Sequence, residues 1–234
     1  MSPHRAILIA GPTASGKSAA ALALAERLGG IVVNADAMQV YRDLRILSAR
    51  PSAEDEARVP HLLYGFVPAA EAYSAGRWLE DMKGALGRAQ REGRIPIITG
   101  GTGLYFKALL EGLSPIPDIP SDIRARWRKQ AQTCSAEELH KLLCERDPRM
   151  AAQLNPSDPQ RLVRALEVFD ATGRSLAEWR DEPGKPLLRE DDVARIFVTQ
   201  PRETLYTRID ARFDEMIGEG ALDEVRALAE QKLD

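Results

Sequence analysis

Residues 11–18 read GPTASGKS, which satisfies the pattern G-x-x-x-x-G-K-[ST]. A loop of this kind wraps backbone N–H groups around a di- or triphosphate. Gly11 and Gly16 permit the turn, and Pro12, Thr13, Ala14 and Ser15 complete the cradle. Lys17 is placed to reach bridging or terminal oxygens, and Ser18 to ligate Mg2+. ATP is the usual occupant, so nucleotide and ATP binding are expected of the loop. The loop alone does not say which phosphate it holds.

Three other places carry groups with chemical potential. Asp36 ends the apolar run GIVVNAD. In an open parallel sheet, ligands sit beyond the carboxyl ends of the strands, so Asp36 should face the same crevice as the phosphate loop. A helix N-cap, a magnesium-holding carboxylate and a general base all remain open for it. At 100–113, GGTGLYFKALLEGL puts three glycines around Thr102. They allow close backbone approach to a ligand and leave a hydroxyl at the mouth, or they serve a tight turn. Arg208 and Arg212 stand four apart on one helix side, where a guanidinium aimed at phosphate would help a charged leaving group depart. Gln160 and Arg164 also share a helix face, beside Arg161, while Leu162, Leu166 and Phe169 lie opposite. A solvated charged face is the bland reading of that pattern.

The elements that must position these groups follow from periodicity. AILIA at 6–10 is a short apolar run with strand character, and SAAALALAERLGG is rich in strong helix formers. GIVVNAD and RIPIITGG read as buried parallel strands. Between them Leu79, Met82 and Leu86 recur at helical spacing, with Gly93 as a stop. Strands alternating with helices indicate an α/β fold, a three-layer core of the P-loop NTPase type with a parallel sheet. SPIPDIPSD, at 114–122, breaks the rhythm. Residues 121–180 are helical in pattern, including a helix N-capped by Asp158, opened by Pro159 and stopped at Gly173. VARIFVT then returns as a strand, and a helical stretch follows, broken at Gly218 and Gly220. The expected organisation is a catalytic core of 1–115 with 187–234, interrupted by an all-helical insertion at 116–186.

Composition narrows the classes. Of 234 residues, 44% are hydrophobic and 29% charged, as in ordinary folded domains. No apolar run approaches a membrane span, and the N-terminal apolar stretch is too short for a signal peptide, so a cytoplasmic protein is expected. Cys134 and Cys144, with His4, His61 and His140, are too scattered for a disulfide framework or a zinc site. A net charge of −3 argues against nucleic-acid binding by bulk attraction. Residues 121–180 carry eleven Lys/Arg against nine Asp/Glu, which permits a basic patch and does not announce one.

Taken together, GPTASGKS, DAMQVYR, GGTGLYFKALLEGL and DPQRLVRALEVFDATGRS, in this order and spacing, closely resemble the bacterial tRNA dimethylallyltransferases. The resemblance runs from residue 6 to the end of the chain. It implies that the phosphate loop holds the diphosphate of dimethylallyl diphosphate with Mg2+, and that the five-carbon group passes to N6 of the adenosine 3′ of the anticodon, position 37. It implies that the helical insertion grips the tRNA anticodon stem-loop; the chain is expected to be a monomer. By position, Asp36 is the general base, Thr102 contacts the target adenine, and Arg212 contacts the diphosphate. Contacts to tRNA fall on Asp36, Ala37, Met38, Gln39, Thr102, Arg124, Gln160, Arg161, Leu162, Val163 and Arg164. Two departures are visible. Ala37 stands where the family often has serine, and family members commonly run further, so the C-terminal part of the core is expected to be truncated. The rival readings are an adenylate isopentenyltransferase acting on free AMP, ADP or ATP, a P-loop small-molecule kinase, and an inactive RNA-binding fragment.

Overall fold

Apolar residues alternate between two faces along the three central strands of a five-stranded sheet, and that alternation builds the core. The structure, a computed structural model, describes residues 5–231 and 233; His4 lies outside them. Strands β1 (Ala6–Ala10), β2 (Ile31–Asn34), β3 (His61–Leu62), β4 (Pro96–Gly100) and β5 (Val193–Phe197) are all parallel, in the order β3-β2-β4-β1-β5. Leu8, Val33 and Ile98 point to one face, where they meet Trp78, Met82 and Ala85 of α3 (Ala75–Arg91) and Tyr105 and Leu109 of α4 (Gly103–Glu111). Ile9, Val32 and Ile97 point to the other, against Ala21, Leu22 and Ala25 of α1 (Lys17–Leu28). The result is helix, sheet, helix: three layers with both sheet faces covered, as parallel strands require. Between β2 and β3 runs a loop with one short helix, α2 (Ala53–Arg58), closed by a capping box between Ser52 and Asp55. After β5 come α10 (Arg202–Gly218) and α11 (Ala221–Glu230), separated by Gly220.

The chain divides into two compact units, Met1–Leu110 with Pro186–Asp234, and Glu111–Lys185. The second unit is helical and begins before the proline-rich segment. It comprises α5 (Ser121–Ala131), α6 (Ala136–Arg146), α7 (Pro148–Ala151), α8 (Pro159–Thr172) and α9 (Leu176–Asp181). Leu139, Leu143, Met150, Leu162, Leu166 and Trp127 form its core. At its edge, Asp170 accepts hydrogen bonds from Arg126, Arg146 and the Trp127 indole, tying α8 to α5 and α6. Asp158 caps α8 by accepting from the Arg161 N–H at 3.2 Å, and Gly173 closes the helix in a left-handed conformation.

Candidate active site

The phosphate loop leaves β1 and enters α1 at Lys17, and within it the Ser15 N–H donates to the Pro12 carbonyl at 3.3 Å. Gly16 is the N-cap at φ 95°, and Ala14 holds φ 60°, a conformation uncommon for a residue with a Cβ. No acidic side chain lies in the first turn of α1, so the positive end of the helix is uncompensated and suits an anion. Lys17 donates from Nζ to the Pro12 carbonyl at 3.2 Å. Burial pushes its ammonium pKa down from the ordinary 10.5; Asp36 opposes that shift and Arg212 adds to it. Lys17, Ser18 and Arg212 line a cavity of about 470 Å³. The same three side chains, joined by Thr13, Asp36 and Gln39, line a neighbouring cavity of about 340 Å³.

Asp36 lies two residues past the end of β2. Residues 37–40 form bends and turns, so the carboxylate caps no helix. Its Oδ1 accepts the Met38 N–H at 3.0 Å in an Asx turn. Its Oδ2 lies against Gly101, where an added Cβ would come to 3.4 Å. What fixes the backbone is Asn34, fully buried at the tip of β2. Its Oδ1 accepts the Asp36 N–H at 2.8 Å, and its Nδ2 donates to the carbonyls of Asp36 and Leu63, each at 2.9 Å. The Trp78 indole donates to the Asn34 carbonyl at 2.9 Å. Sequence reasoning passed over Asn34, although an amide closing an otherwise apolar run was the available signal.

The tips of β2 and β4 touch through backbone. A Cβ on Gly100 would stand 2.0 Å from the Ala35 carbonyl oxygen, so only glycine fits. Beyond it, the Thr102 N–H donates to Ala35 O at 3.1 Å, and the Thr102 Oγ1 accepts the Ala37 N–H at 2.9 Å. With the Thr102 oxygen serving as acceptor, its own O–H proton is left to donate to a bound molecule. Gln39 uses both amide hydrogens inside the protein, on the carbonyls of Ser48 and Ala49 at 2.9 Å each. Met38 is exposed and lines the smaller cavity, as do Leu47, Phe213 and Met216, an apolar wall that motif reading did not find. Arg212 faces both cavities; Arg208, four residues earlier, is exposed and lines neither.

In the helical unit, Arg124, Gln160 and Arg161 are exposed, and Val163 and Arg164 are half-buried. Arg161 pairs with Asp158 at 3.1 Å, and Arg164 with the buried Glu167 at 3.7 Å. Burial lowers the Arg164 pKa; Glu167 opposes the shift and the charge of Arg124 adds to it. Leu162, also expected among the tRNA contacts, is placed differently from its neighbours. Its side chain is fully buried among Leu139, Leu143 and Leu166, because it sits on the packing stripe of an amphipathic helix. The structure thus groups the expected residues in two sets, each inside its own unit.

Residues 39–234 match the family described as IPP transferase, and residues 4–61 match isopentenyl transferase. The chain belongs to the IPP transferase family. A tRNA dimethylallyltransferase of Methylocella silvestris is 58% identical over 229 residues, covering 98% of this chain and 76% of that one. The same enzyme name and identity are found in Nitrobacter hamburgensis, where the match covers 98% of this chain and 72% of the relative. Among solved structures, a eukaryotic dimethylallyltransferase acting on tRNA superposes with a TM-score of 0.79 at 30% identity, over 97% of this chain and 56% of that one. The full-length tRNA isopentenylpyrophosphate transferase of Bacillus halodurans gives a TM-score of 0.63 at 32% identity, over 97% and 71%. This IPP transferase family member therefore shares its α/β fold with enzymes whose names specify prenyl transfer to tRNA.

Proposed function

We propose that the chain transfers the dimethylallyl group of dimethylallyl diphosphate to N6 of adenosine 37 in tRNA, releasing diphosphate. The observation that carries this reading is one cavity lined by an anion-binding loop residue, Lys17, a carboxylate, Asp36, and a guanidinium, Arg212. Homologues bearing the name tRNA dimethylallyltransferase supply the acceptor.

The adenine N6 lone pair is delocalised into the ring and attacks poorly. Asp36 accepts the N6 proton as the new N6–C1 bond forms, and the C1–O bond to diphosphate breaks with its electron pair leaving on oxygen. Charge then accumulates on the diphosphate, where Lys17, Arg212 and the loop N–H groups oppose it. Thr102 directs its hydroxyl at the adenine. The target base has to leave the anticodon-loop stack to reach these groups. Exposed Arg124, Gln160 and Arg161, with half-buried Arg164, supply positive and amide contacts to the anticodon stem-loop.

Among the described residues, no group of three or more His, Cys, Asp or Glu is arranged to hold a metal ion. The Ser18 hydroxyl and Asp36 carboxylate line one cavity, a sparse set of hard oxygens that suits Mg2+ arriving on a diphosphate with its own waters. Bound there, Mg2+ would neutralise part of the leaving-group charge. We further propose a cytoplasmic monomer, the compartment being that of the tRNA on which the named homologues act.

Incubation with labelled dimethylallyl diphosphate and either unmodified tRNA or AMP tests the proposal. Label is expected in tRNA at adenosine 37. Label in AMP and none in tRNA would overturn it.

A further inference from the structure

Besides Lys17, Arg212 and the ion-paired Arg58, the larger cavity contains a basic group for which the reaction so far has no use. Arg50 lies on the loop between β2 and α2 and lines this cavity with Lys17, Ser18 and Arg212. Among the described residues it forms no ion pair. The acids near it are committed elsewhere: Glu56 to Arg45 at 4.0 Å, and Asp55 and Glu26 to Arg58 at 3.7 and 2.7 Å. Glu224 of α11 accepts the backbone N–H groups of Arg45, Ile46 and Leu47 at 2.8–3.0 Å. Arg50 itself makes two long hydrogen bonds, from Nη1 to the carbonyls of Tyr41 at 3.3 Å and Arg42 at 3.5 Å, and its Nε is buried without a partner. Burial, chiefly, and the neighbouring Arg45 lower its pKa, while the charges of Glu56 and Glu224 oppose the shift without pairing with it.

The side chain is nonetheless firmly seated. Its guanidinium lies over Gly65, which holds φ 54°, and a Cβ at that position would come within 1.4 Å of Nη1 and 2.2 Å of Cζ. Gly65 is in turn pinned by donating its N–H to the Gln39 carbonyl at 2.9 Å. A planar guanidinium held in place with unused donors, in a cavity shared with a lysine and another arginine, is suited to a phosphate group.

We propose that Arg50 is a further diphosphate-positioning residue, which grips the leaving group from the side of the loop 42–52 while Lys17 and Arg212 act from α1 and α10. This rests on reading the P-loop as a diphosphate cradle.

The test uses the whole chain with inorganic diphosphate and Mg2+ as the probe. Arg50→Gln is expected to weaken diphosphate binding about ten- to a hundredfold and to raise KM for dimethylallyl diphosphate in parallel, with tRNA affinity unchanged. Arg50→Lys should recover part of the loss. In the wild type, diphosphate should protect Arg50 from phenylglyoxal, read by mass spectrometry, while exposed Arg208 stays reactive. That measurement decides the matter should Arg50→Gln fail to fold. Diphosphate affinity at the wild-type level in folded Arg50→Gln, or an unprotected Arg50 on a protein that binds diphosphate, overturns the Arg50 assignment alone. A wild type that does not bind diphosphate overturns the cradle reading and the Arg50 assignment with it.

Discussion

Thr102 and Ala37 are joined by a hydrogen bond from the Ala37 N–H to the Thr102 hydroxyl oxygen, 2.9 Å long and spanning 65 residues of sequence. The bond uses the backbone of position 37, so alanine serves it as well as the serine frequent in the family. Thr102→Val keeps the shape and removes the acceptor. It should cost about 1–2 kcal/mol of stability, read by denaturant unfolding, and lower kcat, with Thr102→Ser restoring both. Unchanged kcat in Thr102→Val would separate the hydroxyl from the chemistry.

Asp36 has two oxygens with different duties. Asn at this position can still accept the Met38 N–H and keep the Asx turn, but it cannot take a proton from N6. Asp36→Asn should therefore leave the melting temperature and tRNA affinity in place while kcat drops by about 10²–10⁴. Loss of tRNA binding in a folded variant would contradict the base assignment.

For Lys17 the prediction concerns pH. Its pKa in the unliganded fold lies below the ordinary 10.5, chiefly through burial. The unfolded chain thus binds more protons between the lowered value and 10.5, and the Lys17 contribution to stability increases as pH rises across that window. A bound diphosphate supplies counter-charge and raises the pKa again. Binding should therefore take up a proton in this alkaline range, measured by calorimetry in two buffers of different ionisation enthalpy, and affinity should fall as pH rises through it. Lys17→Met should abolish diphosphate binding at a melting temperature no lower than the wild type's.

Arg161 and Leu162 are adjacent in sequence and opposite in exposure. Arg161→Ala removes an exposed cation whose pairing is with Asp158 inside its own helix turn, so tRNA binding should weaken about tenfold, with a shallower salt dependence and no change in unfolding. Leu162→Ala empties a fully buried position and should cost about 2–5 kcal/mol of stability. Unfolding curves and filter-binding titrations of the two variants should show this exchange of effects.

The strand–loop–helix around Lys17, the strands that end at Asn34 and Gly100, and the returning strand at Val193 were legible because each carries a strong local pattern. The helices flanking Gly220 were legible for the same reason. The loop between Asp36 and Leu62 was not. Strand β3 has two residues and helix α2 six, too short for any period to register. Arg50 was invisible for a related reason: its seat is made by Gly65 and its missing partners by ion pairs that only the fold reveals. Leu162 was read both on the side of its helix opposite Gln160 and Arg164 and, through a run of neighbouring residues carried over whole, among the tRNA contacts; a helix turns each residue by about 100°, and its side chain is buried.

The contact between Gly100 and the Ala35 carbonyl sets a limit on redesign. Backbone meets backbone there, so the gap between Asp36 and the Thr102 hydroxyl is not adjustable by exchanging side chains on either strand. Accommodating a longer prenyl donor or a bulkier acceptor base has to proceed through the walls built of side chains, Leu47 on its loop and Phe213 and Met216 on α10, which makes those positions the ones for a substrate-range library to randomise.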